Sequence, residues 1–174
     1  MEPTAVPVGV VRTPEEVARG GFAAINDHDL DGIESYLHPD DIQNFVPVGV
    51  FNGRPEVLGF FAGLFRALPD LTMTVEHVMS NERGAYVRWR SAGTFSGAPF
   101  QGIQPTGRRV ELRGTDAYIE VEDGLIRRNT IFYDGAAFLR GVGLLPARGS
   151  RLERLLIAVF NLRTRLLRYK SRRR

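Results

Sequence analysis

At 174 residues, with 43% hydrophobic side chains, the chain is long enough to bury a core of its own and fits one domain. No uninterrupted apolar run of about 18 residues occurs, which excludes a transmembrane helix, and the opening MEPTAVPVGVVRTPEE lacks the basic start and apolar centre of a signal peptide. The absence of cysteine excludes disulfides, thiolate catalysis and cysteine-bound metal. A soluble, cytoplasmic protein is the expectation.

The net charge of +3 is unevenly spread. Residues 151–174 hold eight arginines and one lysine against Glu153 alone, a local balance of +8, so residues 1–150 carry −5. The basic pI of about 9.7 therefore describes a tail on a mildly acidic body, and no nucleic-acid partner is expected for that body.

In chain order, residues 1–12 lack helical periodicity and read as a flexible arm. Thr13-Pro14-Glu15-Glu16 offers a capping hydroxyl, a first-turn proline and two acids, which starts a helix running to about His28. Asp29-Leu30-Asp31-Gly32 opens a second short helix, stopped by His38-Pro39-Asp40-Asp41. Residues 42–50 read as a strand, followed by a turn at Phe51-Asn52-Gly53-Arg54. A third helix spans 55–68, with Val57, Leu58, Phe61, Leu64 and Phe65 as its apolar stripe. Strands then follow at 72–79, 85–95, 109–121 and 125–133, separated by turn-forming segments. Residues 136–145 form a short helix, 147–150 a linker and about 151–169 a final helix.

Helices first and a long antiparallel meander afterwards define an α+β domain over residues 13–146, with 147–174 as linker and basic amphipathic helix. A strongly curved sheet wrapped around the early helices leaves a cavity on its concave face, a natural site for a small hydrophobic molecule.

Within the strand 109–121, Asp116 stands out, because aspartate is depleted in strands. Strict alternation puts it on one face with Tyr118, while Ala117, Ile119 and Val121 point the other way. Either this carboxyl faces water, or it sits on a concealed surface where burial shifts its pKa for chemistry.

The segments FAAINDHDLDGIESYLHPDD, FNGRPEVLGFFAGLFRALPDLTMTVEHV, RWRSAGTFSG, GIQPTGRRVELRGTDAYIEVEDGLI and FLRGVGLLP, taken in order, closely resemble the SnoaL-like polyketide cyclases. That family lies in the nuclear-transport-factor-2-like superfamily with ketosteroid isomerase and limonene epoxide hydrolase. The resemblance covers residues 14–146. It implies a cone-shaped α+β half-barrel around an apolar pocket, commonly in a homodimer. It also implies intramolecular aldol closure without metal or organic cofactor, in which a carboxylic group acts as acid/base and donors stabilise an enolate.

Residue by residue, the resemblance places Asp116 where ketosteroid isomerase keeps a neutral, hydrogen-bond-donating aspartic acid. Val46 falls where that enzyme has its base and Gly21 where it has its oxyanion-hole tyrosine, so its familiar mechanism does not carry over. Asn44 shares the face of Val46 and is expected to point into the cavity as an orienting amide. Asn129 and Phe95 stand where relatives often carry histidine. Asp134, after Phe132-Tyr133, matches the family's terminal aspartate; it is a second proton shuttle or else the N-cap of the following helix.

Trp89 and Phe95 share a strand face and are expected in the cavity, with Tyr118 and Tyr133 as lining or donors. Arg88 and Arg90 face the other way. No pair among His28, His38 and His77 has the spacing of a zinc site, so no metal is expected.

The expected function is a cofactor-independent cyclase acting on a polyketide-like intermediate. Two alternatives are an epoxide-opening enzyme or isomerase, which would bring Asp116 and Asp134 together, and a non-catalytic binding protein. The apolar and basic tail either packs on its own domain or dimer mate, or meets an anionic membrane surface or acidic partner.

Overall fold

The computed structural model describes residues 11–171, with side chains to residue 168; most of the expected N-terminal arm lies outside the described residues. Helix α1 (Pro14–Asn26) begins at a full capping box: Thr13 accepts from the Glu16 N–H while Glu16 accepts from the Thr13 N–H at 2.8 Å. Arg12 donates to the Ser35 carbonyl at 2.8 Å and lies over the Tyr36 ring, which pins the chain ahead of α1. Helix α2 (Leu30–Glu34) is capped by Asp29. Strands β1 (Leu37–Phe45) and β2 (Gly49–Asn52) form a hairpin where a single strand is expected. Helix α3 (Gly53–Ala67) follows, then β3 (Thr72–Ser80), β4 (Gly84–Phe95), β5 (Arg108–Glu122), β6 (Leu125–Tyr133) and α4 (Gly135–Gly141).

The six strands make one sheet in the order β2-β1-β6-β5-β4-β3. The expected all-antiparallel sheet is corrected in one respect, because β1 runs parallel to β6. In the meander β3–β6, short turns join β3 to β4 and β5 to β6 while the longer segment 96–107 joins β4 to β5, and all three pairs are antiparallel, whereas β1 reaches β6 only across the rest of the domain. No local connection dictates its direction.

The core lies between the helices and the concave face, built on Val17 and Phe22 of α1, Val57, Phe61 and Phe65 of α3, and Val87 of β4. Two polar clamps fix the helices to the sheet rim. Asn26 exchanges two 2.7 Å hydrogen bonds with the Met73 backbone, so the end of α1 acts as an extra partner for edge strand β3. Arg54 donates twice to the Leu37 carbonyl, at 2.9 and 2.6 Å, which locks the start of α3 to β1.

Of the register shifts in the sheet, two β-bulges, in β5 and β6, bear on the cavity. Ala85 pairs with Ile119 and Val87 with Asp116, while Asp116 pairs with Ile131 and Tyr118 with Thr130, which leaves Ala117 as the extra residue in β5. Glu120 pairs with Arg128 and Val121 with Ile126, so Arg127 is the extra residue in β6. Each bulge reverses the in-out parity of its strand and increases local twist, which is what curls a sheet into a cone.

Helix α5 (Arg151–Ser171) extends past the domain. Glu153 pairs with Arg140 at 3.5 Å, but the apolar side chains of α5 remain half exposed or more. The reading in which this stripe packs on its own domain is therefore corrected: among the described residues, no wall of the domain covers it.

Because α1 carries part of the cavity wall, loss of its cap bears on the whole domain. Thr13→Ala is expected to lower stability by about 1 kcal/mol. Urea unfolding should show a reduced midpoint with an unchanged slope.

Candidate active site

Between the helices and the concave face lies a cavity of about 130 Å³. Its helical wall is apolar, with Phe22 and Ile25 of α1, Phe60, Phe61 and Leu64 of α3, and Phe138 of α4. Polar side chains come almost entirely from the sheet: Gln43, Ser91, Asp116, Asn129 and Tyr133, with the indole of Trp89 among them.

Asp116 is the centre of this group, at only 6% exposure. Trp89 Nε1 donates to its Oδ1 and Asn129 Nδ2 donates to its Oδ2, both at 2.7 Å. The three residues sit on three adjacent strands. Trp89 is opposite Gly114 and Asn129 opposite Ile119, so each reaches Asp116 along a diagonal from either side. Gly114 is required here, because a Cβ at that position would overlap the indole ring and the Phe132 carbonyl. The bulge at Ala117 does the rest: it keeps Asp116 and Ile119 on the concave face and turns Tyr118 outward.

Burial raises the Asp116 pKa to about 6, against the opposing effect of the Asn129 and Trp89 hydrogen bonds. No cation pairs with it among the described residues. A carboxyl whose two oxygens both accept N–H donors, and whose pKa lies below 7, is an anion at neutral pH. This differs from the neutral, donating acid that the resemblance implies. Asn129 uses its amide N–H on Asp116, so its Oδ1 is left buried and without a partner among the described residues. Tyr133 keeps its proton more firmly than usual because it is partly buried, so it remains a donor.

A second buried carboxyl lies behind the wall. Asp41 is fully enclosed and accepts from Gln43 Nε2 at 3.2 and 3.0 Å. Burial pushes its pKa up to about 7, opposed by hydrogen bonds from Gln43 and the Ile42 backbone and by the charges of Arg127 and Arg54. Gln43 faces the cavity while its amide is anchored on Asp41. Sequence reasoning missed this pair because Asp-Ile-Gln-Asn-Phe-Val can alternate in either frame. The observed frame buries Asp41, Gln43 and Phe45 and leaves Asn44 off the cavity wall and Val46 exposed. Gly114 and Ser91 were also missed; a glycine next in sequence to the Thr-Asp pair was the available signal for the first.

The expected site residues are thus only partly brought together. Asp116, Trp89, Asn129 and Tyr133 share the cavity. Phe95 is fully buried on the inner side of β4 but lies beyond the cavity wall. Tyr118 is exposed on the outer face, through the bulge. Asp134 is the N-cap of α4, accepting from the Ala137 N–H at 3.0 Å and lying 3.4 Å from Arg148; it does not line the cavity. The two carboxyls therefore do not converge. Arg88 and Arg90 point outward as expected, Arg88 pairing with Glu76. Among the described residues no three histidine, aspartate or glutamate side chains cluster as a metal site.

A curled sheet closed by N-terminal helices around an apolar cavity with one buried carboxylate defines a protein of the ketosteroid-isomerase-like fold class, shared with a Catenulispora acidiphila protein of that fold (16% identity, TM-score 0.63, covering 79% of this chain and 98% of that one). The family model described as SnoaL-like polyketide cyclase matches residues 15–142, and the chain belongs to that family. Among solved structures it is similar to IdmH, a polyketide cyclase candidate from Streptomyces antibioticus (25% identity, TM-score 0.65, covering 75% of this chain and 98% of that one). It is also similar to AclR, a hydroxylase candidate from Streptomyces galilaeus (24% identity, TM-score 0.68, 90% and 96%). Among curated proteins no sequence match is found.

The raised pKa of Asp116 has a stability consequence. The folded state holds this proton up to pH about 6 and the unfolded chain only to about 4, so stability falls as pH rises through that window. Asp116→Asn removes the buried charge, and a flipped Asn129 can offer its free Oδ1 to the new amide. The variant is expected to be about 1–3 kcal/mol more stable than wild type at pH 8, with the gain gone near pH 3, as read by thermal unfolding at the two pH values.

Proposed function

We propose that the protein is a cofactor-independent cyclase that closes a ring in a polyketide-like intermediate by an aldol reaction, with Asp116 as general base. The observation that carries this reading is a buried, unpaired carboxylate at the polar floor of an apolar cavity, held by two N–H donors with a pKa of about 6. A base in this range is mostly ionised at neutral pH and still basic enough to matter. The family assignment supports a cyclase-type role.

In this mechanism Asp116 removes a proton from a carbon flanked by two carbonyls. The resulting enolate carbon attacks a second carbonyl carbon of the same molecule. A carbon–carbon bond forms, the carbonyl π bond opens to an alkoxide, and the alkoxide recovers the proton from Asp116. Nothing is consumed but the open-chain form.

The hydroxyls of Tyr133 and Ser91, which both line the cavity, serve in this reading as donors to the developing oxyanions. The vacant Oδ1 of Asn129 can accept from a substrate hydroxyl, fixing which carbon meets Asp116. The aromatic helical wall folds the chain and excludes water, which protects the enolate from premature quenching. An epoxide-opening route through paired Asp116 and Asp134 has no support, since Asp134 is engaged at the α4 cap. A purely binding role is disfavoured by the buried charge at the cavity floor, whose burial cost its two N–H donors do not fully offset.

The half-reaction can be followed without the natural substrate. Deuterium exchange at the acidic carbon of an aryl β-keto ester should be accelerated by the wild-type protein, with a rate that rises with pH through about 6 and then levels. Asp116→Asn should lose at least about 10²-fold of that acceleration while keeping its circular dichroism. Undiminished exchange in the variant would remove Asp116 from the mechanism.

A further inference from the structure

Helix α5 places nine apolar side chains in solvent: Leu152, Leu155, Leu156, Ile157, Val159, Phe160, Leu162, Leu166 and Leu167 are each 51–65% exposed. At 3.6 residues per turn all but Ile157 fall within an arc of about 160°, while Arg151, Arg154, Arg165 and Arg168 occupy the opposite side. Arg163 sits within the apolar arc, where a long side chain can lift its charge to the polar edge. The helix carries six basic residues against Glu153 and is followed in sequence by three more arginines. Glu153 is already engaged by Arg140.

We infer that α5 docks flat on the surface of an anionic lipid bilayer, with its leucine and phenylalanine face in the acyl boundary and its arginines among the headgroups. Crossing the bilayer is ruled out for this helix, since no helix described is long and apolar enough to span it. The main competitor is a second copy of the chain, because Leu152, Leu155, Val159, Leu162 and Leu166 follow the 3-4 spacing of a two-helix seam.

Two features count against that pairing. A two-helix seam covers a narrow stripe and would leave Leu156, Phe160 and Leu167 in water, whereas a flat surface covers the whole arc. The positions flanking the seam include Arg163 and Arg165, and no free carboxylate on α5 can pair with them across the seam. Charge points the same way. The body carries −5 over residues 1–150, so attraction to an anionic surface must come from the tail alone.

The test uses the full chain and sedimentation with vesicles of phosphatidylcholine, either pure or with about 30 mol% phosphatidylserine, at about 0.1 M and about 0.5 M salt. Binding is expected to the anionic vesicles only, and to be weakened by salt. The double variant Arg165→Gln/Arg168→Gln should bind about 25-fold more weakly. Val159→Glu, in the middle of the apolar arc, should abolish binding while leaving the thermal unfolding of the domain unchanged.

Equal binding to both lipids would overturn the proposal. So would a solution dimer that Val159→Glu dissociates, without vesicle binding by the wild type. Capture of polyglutamate with no vesicle binding would overturn it in favour of an acidic protein partner.

Discussion

The hydrogen bonds from Trp89 and Asn129 to Asp116 tie three neighbouring strands together through one carboxylate, and much of the domain exists to keep that group enclosed. Each N–H bond to a charged acceptor stabilises by about 1.5–3 kcal/mol, yet burial of the anion works against them. Burial wins: the pKa rises to about 6 although both donors pull it down. Had a cation stood beside Asp116, the pKa would have fallen and the carboxylate would be inert as a base. Holding the anion with neutral N–H donors fixes its orientation and, in the proposed mechanism, leaves it basic enough to take a proton.

The geometry that permits this depends on small backbone choices. Gly114 leaves space for the indole to lie across β5, and the extra residue at Ala117 resets which side chains face the helices. Asp41 and Gln43 play a quieter part, anchoring one polar group of the cavity from behind the wall. Because Asp41 also titrates near neutrality, with a pKa of about 7, the cavity rests on two carboxyls whose charge depends on pH.

The helix starts at Thr13 and Asp29, the four meander strands and Asp116 as an anomalous acid within one of them were legible in the sequence. Each rests on local chemistry: a capping hydroxyl, a turn dipeptide, an acid where strands avoid acids. What stayed hidden depends on register. Strict alternation assigns Tyr118 to the face of Asp116, and only the bulge, a property of three paired strands, reverses it. In β1 the frame Ile42, Asn44, Val46 is the more apolar of the two, yet Asp41, Gln43 and Phe45 face inward, so local apolarity favours Asn44 over Gln43 and the sheet decides otherwise. The parallel placement of β1 beside β6 is likewise set by the whole sheet. Asp134 was legible in both of its roles, and the cap prevails because the Ala137 N–H lies within reach.

The central claim is that Asp116 is a buried carboxylate poised near neutrality, and its side-chain carbon reports this directly. A ¹³C NMR titration of the labelled carboxyl, assigned by its absence in Asp116→Asn, should give a midpoint close to 6. A midpoint near 4, that of a solvated aspartate, would contradict the account.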